Sequence, residues 1–76
     1  MTVYGLKKGE KATITSISFG GSARARLSSL GVTEGKTIKI LSFSLFKSAV
    51  LISCGFVRIG VRKALANRIE VKKCAQ

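Results

Sequence analysis

The chain has no histidine, aspartate, proline or tryptophan, and its only acidic residues are Glu10, Glu34 and Glu70. Without imidazole, and with carboxylates so sparse, neither a Ser-His-Asp relay nor a carboxylate pair for general acid–base work can be assembled. The serines Ser28, Ser29, Ser42 and Ser44 lack a base to activate them. Cys54 and Cys74 lie twenty residues apart and, with three scattered glutamates, supply no metal cage. No GxxxxGKS, GxxxxGKT or GxGxxG phosphate loop is present, and Gly20-Gly21 reads as a turn. The absences argue against an enzyme and against a resident cofactor or metal.

Long apolar runs are missing too. The uncharged stretch 12–23 is largely polar and the next, 48–57, has ten residues, short of the roughly 18 apolar residues that a spanning helix needs. Lys7 and Lys8 are not followed by the apolar block of a secretory leader. A cytoplasmic chain that does not insert in a membrane, with reduced thiols rather than a disulfide, is the expectation.

What is present is a small apolar core and a large positive charge. Seventy-six residues make one domain, 1–76, with no Pro, Gly-Ser or charge block to mark a linker. A chain this short buries only about 60% of the surface its unfolded form exposes. The 46% hydrophobic content and positive mean hydropathy still specify a globule. Fourteen Lys and Arg against three Glu give +11, which favours anionic partners: nucleic acid, lipid head groups or an acidic protein.

Local patterns predict mostly strands. The stretch 11–19 is rich in β-branched residues and bounded by glycines, but the step from Ile14 to Ile17 breaks period two and calls for a bulge. Ser22 offers an N-cap, Ala23 to Leu30 a helix of about two turns, and Gly31 the left-handed residue that ends it. A turn at Glu34-Gly35 leads into a strand over 36–43 with Ile38 and Ile40 inward. After a reversal at "SLFK", strands over 49–54 and 56–63 meet at Gly55, the second with Val57, Ile59 and Val61 on its inner face. "ALAN" makes one helical turn, and Ile69 with Val71 forms the last strand. The whole reads as a mainly β, small five-stranded barrel, with one short helix after the first strand and a one-turn helix before the last. Closure of such a barrel would remove most exposed edges.

The runs "GEKATITSI", "RLSSLGVTEGKTIKI" and "VRIGVRKALANRIEV" resemble the FeoA family, small proteins of bacterial ferrous iron transport, and the SH3-like module of some iron-dependent repressors. The likeness extends from about Leu6 to Val71; its most specific part is Arg26, Leu27, Leu30 and Gly31 with Gly35 four residues on, and its second part is Ala66, Ile69 and Val71. Glu34 stands where the family commonly has proline, and Phe46-Lys47-Ser48 replaces a Gly-Asp-Pro-like turn. The resemblance implies an SH3-like fold and an accessory role in which the protein docks on the cytoplasmic GTPase region of the membrane permease FeoB and modulates uptake. Localisation would then be cytoplasmic, peripheral at the inner face of the membrane through that partner. Two other readings stand beside it: a basic β-barrel that binds RNA or ribosomes, and a stand-alone repressor-type interaction module.

Two groups of residues are candidates for partner binding. Arg24 and Arg26 sit in the first helical turn, where positive charge is unfavourable, with no acid nearby in sequence. They are either solvated charges or an anion-facing corner. Phe43, Leu45 and Phe46 are apolar where alternation and turn position would put them outside, either folded over the core or exposed as a contact patch. Five aromatics scattered over the chain make a poor base-stacking platform. Leu27 and Leu30 are expected in the core, on the helix's apolar stripe. Arg58 and Arg62 form a basic row to which no site is assigned.

Overall fold

The computed structural model describes residues 1–74. Five antiparallel strands, β1 (Lys11–Ile17), β2 (Thr37–Phe43), β3 (Ala49–Cys54), β4 (Val57–Arg62) and β5 (Ile69–Lys73), form one sheet in the order β4-β3-β2-β1-β5. Helix α1 (Gly21–Ser29) follows β1, and the single turn α2 (Lys63–Ala66) precedes β5. The expected mainly β architecture is present, but the hydrogen-bonded ladder does not close. Because β4 runs straight into α2, it never reaches β5, and α2 carries the chain between the two sheet edges.

Two bulges set the faces of the sheet. In β1 the register shifts between Ile14 and Ser16, so Ile14 and Ile17 both point inward despite their odd spacing. In β2 it shifts between Ile40 and Ser42. Leu41 and Ser42 together oppose Leu51, and Phe43 then falls opposite the buried Val50. Strict alternation would have placed Phe43 outside; the extra residue turns it inward, against the Tyr4 ring at 5.5 Å and beneath the Lys47 ammonium at 5.2 Å. Ile14, Ile38, Ile40, Ile52 and Ile69 are fully buried, and no polar or charged residue is buried with them among the described residues.

Helix α1 starts two residues earlier than expected, at Gly21 rather than Ala23. Gly20 occupies the N-cap position without a side-chain bond, which leaves Ser22 within the first turn. Its end follows the sequence. Gly31 takes φ +87°, its N–H donates to the Ser28 carbonyl at 3.0 Å, and the Val32 N–H donates to the Leu27 carbonyl at 2.9 Å. This pair of bonds is a Schellman motif, and the apolar contact that accompanies it joins Leu27 to Val32, both buried. Leu30 departs from its expected core position. It lies 36% exposed, because Leu27 and Val32 fill the core and the next position round the helix is left at its rim. Ala66, Ile69 and Val71 are buried.

Leu27→Ala should cost about 2–5 kcal/mol, whereas Leu30→Ala should cost about 1 kcal/mol or less. A Cβ on Gly31 would meet nothing within 4 Å. Gly31→Ala therefore reports conformation alone and should cost about 1–2 kcal/mol. Urea denaturation of the three variants checks the ranking, and equal losses for Leu27→Ala and Leu30→Ala would contradict it.

Candidate functional site

The two helix arginines have different fates. Arg24 turns back over the start of α1, donating to both Glu34 carboxylate oxygens at 3.0 and 2.9 Å and to the Ile17 carbonyl at 3.0 Å. Glu34 in turn accepts from the Ile17 N–H at 3.3 Å. The pair thus ties the end of β1, the first turn of α1 and the turn before β2 into one clamp. Arg24 is thus neither the free solvated charge nor the open anion-facing corner that the sequence left as alternatives: its acid is ten residues away in sequence and adjacent in space. One guanidinium nitrogen, Nη2, meets both carboxylate oxygens while the other, Nη1, holds the backbone carbonyl, so the planar donor set is divided between the two partners.

Arg26 points the other way, into a groove of about 730 Å³ between α1 and the sheet edge β4. That volume is in the range of ligand clefts. The floor is apolar, built from Leu27, Leu30, Ile59, Val61 and Leu65. The rim is basic, with Arg26 on the helix and Arg58 and Arg62 on the strand. No acidic residue lines it, and none of the three arginines is in an ion pair among the described residues. Gly60, between the two strand arginines, leaves open space above the edge.

The remaining candidates do not join this groove. Phe43 is half-buried, whereas Leu45 and Phe46 are 80% and 90% exposed at the tip of the β2–β3 hairpin. Phe46 and Lys47 both hold positive φ, 62° and 55°, an uncommon conformation for residues with side chains. Ser44 secures the turn, its carbonyl accepting from the Lys47 N–H at 2.8 Å and its hydroxyl from the Ala49 N–H at 2.8 Å. Phe56, fully exposed in the β3–β4 turn, lies at the other end of β3. Sequence reasoning assigned no site to Arg58 and Arg62. Their alternation about Gly60 was visible, but the packing of α1 beside β4 was not.

All three glutamates are engaged, each in a different place. Glu10 pairs with the Lys73 ammonium and accepts from the Lys7 N–H at 2.6 Å. Glu70 meets the Met1 ammonium at 3.1 Å. Among the described residues no three His, Cys, Asp or Glu come together as metal ligands, and Cys54 and Cys74 are free thiols. Their neighbours are separate: Gly31 for Cys54, Thr13 for Cys74. Among the described residues the donor set does not assemble a site for an iron ion. No helix among the described residues is long and apolar enough to cross a membrane.

Five short antiparallel strands around one apolar core, with a basic groove beside an open edge, define a small SH3-like domain. The FeoA domain model matches residues 1–73, so the chain belongs to the FeoA family. It is similar to the FeoA protein of Chlorobium tepidum, at 29% identity and TM-score 0.92 over 99% of this chain and 71% of that one. It is also similar to an iron uptake regulatory protein (FeoA), at 35% identity and TM-score 0.80 over 97% and 96% of the two chains. The zinc complex of Stenotrophomonas maltophilia FeoA, described as a prokaryotic SH3 domain protein, shares the fold at 24% identity and TM-score 0.79 over 95% and 89%. No protein of curated function matches the chain. Membership in this family implicates the chain in ferrous iron transport.

The clamp carries a pH dependence. Backbone hydrogen bonding and the Arg24 guanidinium hold the Glu34 carboxyl below its ordinary value of 4.5. Lys73 and the Lys7 N–H do the same for Glu10. A carboxyl whose pKa is lower in the folded state adds stability that is fully present above its unfolded value and is lost as pH falls through the folded one. Urea midpoints should hold down to about pH 5 and then drop, and Glu34→Gln should flatten that drop. Arg24→Ala should lower the melting temperature, whereas Arg26→Ala should leave it nearly unchanged. Equal melting of the two arginine variants would contradict the clamp.

Proposed function

We propose that the protein is a cytoplasmic accessory factor of ferrous iron transport that docks on the cytoplasmic GTPase region of the FeoB permease and modulates uptake. The observation that carries this reading is the groove, whose apolar floor and unpaired arginine rim make a ready surface for an acidic protein partner. The engaged glutamates support a regulatory rather than an iron-carrying role. The relative from Stenotrophomonas maltophilia is described as a candidate ferrous iron transport activating factor, in keeping with such a role. A membrane position follows from the partner alone.

RNA binding is the competing outcome, since charge of +11 would serve it as well. Surface plasmon resonance against the permease's cytoplasmic region and against a structured RNA, at two salt concentrations, separates the two. The docking reading expects tighter binding to the permease region, weakened but not abolished by salt, because apolar contacts persist when charge is screened. Equal or tighter binding to RNA would overturn it. Anaerobic titration calorimetry with ferrous iron should show no stoichiometric site of sub-micromolar affinity.

A further inference from the structure

The sheet has two edges, and only one is covered. Along β5, the Val71 N–H donates to the Met1 carbonyl at 2.7 Å and Thr2 bridges Glu70, so the N-terminal residues occupy that edge. Along β4 no described residue does so. The phase of the β3–β4 ladder fixes which backbone groups are left over. The Lys63 N–H donates to the Ser48 carbonyl at 2.9 Å, and the register places Val50 against Val61, Ile52 against Ile59 and Cys54 against Val57. These alternate pairs exchange the ladder bonds, so the N–H and C=O of Arg58 and Gly60 point away from β3, into the groove. Neither residue's backbone has another partner among the described residues.

We propose that this edge takes an extended acidic segment of a partner protein as a sixth strand, paired to the backbone of Arg58 and Gly60 and held by Arg58 and Arg62. The side-chain pattern of the segment follows from the pleat. Residues opposite Arg58 and Arg62 share the arginines' outer face and lie four apart in the added strand, where carboxylates satisfy both guanidiniums. The residues between them alternate. Those facing inward meet Leu27, Leu30 and Ile59, and are apolar, while the one opposite Gly60 faces no side chain. The recognised pattern is acid, apolar, any residue, apolar, acid. Strand addition of this kind draws affinity from main-chain bonds and specificity from alternate side chains.

Charge decides against a second copy of this chain as the occupant. A symmetric β4–β4 pairing centred on Gly60 would set Arg58 opposite Arg62 of the other copy at both ends, like charges facing each other. The same arginines protect the edge until an acidic strand arrives. An RNA strand would meet the charge, but the floor offers it leucine and isoleucine rather than a stacking aromatic. The inference rests on the docking reading only for the identity of the protein that carries the segment.

Fluorescence anisotropy with a labelled peptide of core Glu-Val-Thr-Val-Glu, against a permuted peptide of the same composition, tests it on the full chain. The alternating peptide should bind at least about tenfold tighter. Gly60→Pro removes an N–H that no ladder bond uses, leaves every arginine in place, and should weaken the alternating peptide about tenfold or more. Arg58→Glu with Arg62→Glu should do likewise, while Lys36→Glu with Lys72→Glu, equal in charge change and outside the groove, should have little effect. Equal binding of the two peptides, or full binding by a folded Gly60→Pro, would overturn the proposal. So would an RNA oligonucleotide that binds more tightly than the peptide and is lost in the arginine variant but not in Gly60→Pro. If the permease region binds wild type and Gly60→Pro alike, docking stands and strand addition falls. If the peptide behaves as expected and the permease region does not bind, strand addition stands and its partner lies elsewhere.

Discussion

Helix α1 is held by one buried side chain, one turn motif and one ion pair, and the groove exists only because those three agree. Leu27 anchors the helix in the core, and the Gly31 turn brings Val32 back against it. The Arg24–Glu34 pair fixes the other end by joining the first turn to β1. With those contacts made, the helix stands beside β4 with Arg26 and Leu30 facing the edge. A small core cannot hold a nine-residue helix by area alone, so end contacts count for more than they would in a larger domain. The clamp also explains how the helix tolerates an arginine in its first turn, where Arg24 is neutralised by Glu34. Arg26, expected there too, falls instead in the last turn, where positive charge is favourable, on the side open to solvent.

The distribution of charge follows the same economy. Three glutamates serve three local ties, at the helix start, beside the end of β5 and at the N-terminal bridge. Eleven positive charges are left uncompensated overall, a field that repels like-charged surfaces and raises the rate of encounter with acidic ones. In that setting an open sheet edge is a smaller hazard than in a neutral protein, because the residues that flank its free backbone groups are arginines.

The hairpin tip is the second exposed feature. Leu45 and Phe46 stand out from the sheet on a turn whose left-handed residues cost about 1–3 kcal/mol each when they are not glycine. Four bonds made by Ser44, including one to the Ser48 hydroxyl, hold that turn against its strain. The tip lies apart from the groove, so the chain presents two separate surfaces, one apolar and pointed, one basic and concave.

Element types and order were legible in the sequence because they depend on local chemistry. Gly31 could only end a helix cleanly, Ile38 and Ile40 could only face one way, and the broken period between Ile14 and Ile17 announced its bulge. Family membership was legible for the same reason, since Arg26, Leu27, Leu30, Gly31 and Gly35 fall within a few turns of one another. Pairing between distant segments was not. Glu34 reaches Arg24 only once β1 and α1 have packed, and Phe43 turns inward only because β2 gains a residue against β3. Leu30 left the core because Val32, outside the helix, took its place. Closure of the ladder failed because α2 follows β4 without a gap, and the free edge this leaves is a property of the assembled sheet. Sequence by itself determined a basic, mainly β domain of the FeoA type with its turns and core; tertiary structure decided which arginine is tied to Glu34 and which lines the groove. The physical reason is that capping, periodicity and turn geometry act over a few residues, whereas ion pairing and groove formation depend on which surfaces folding brings together.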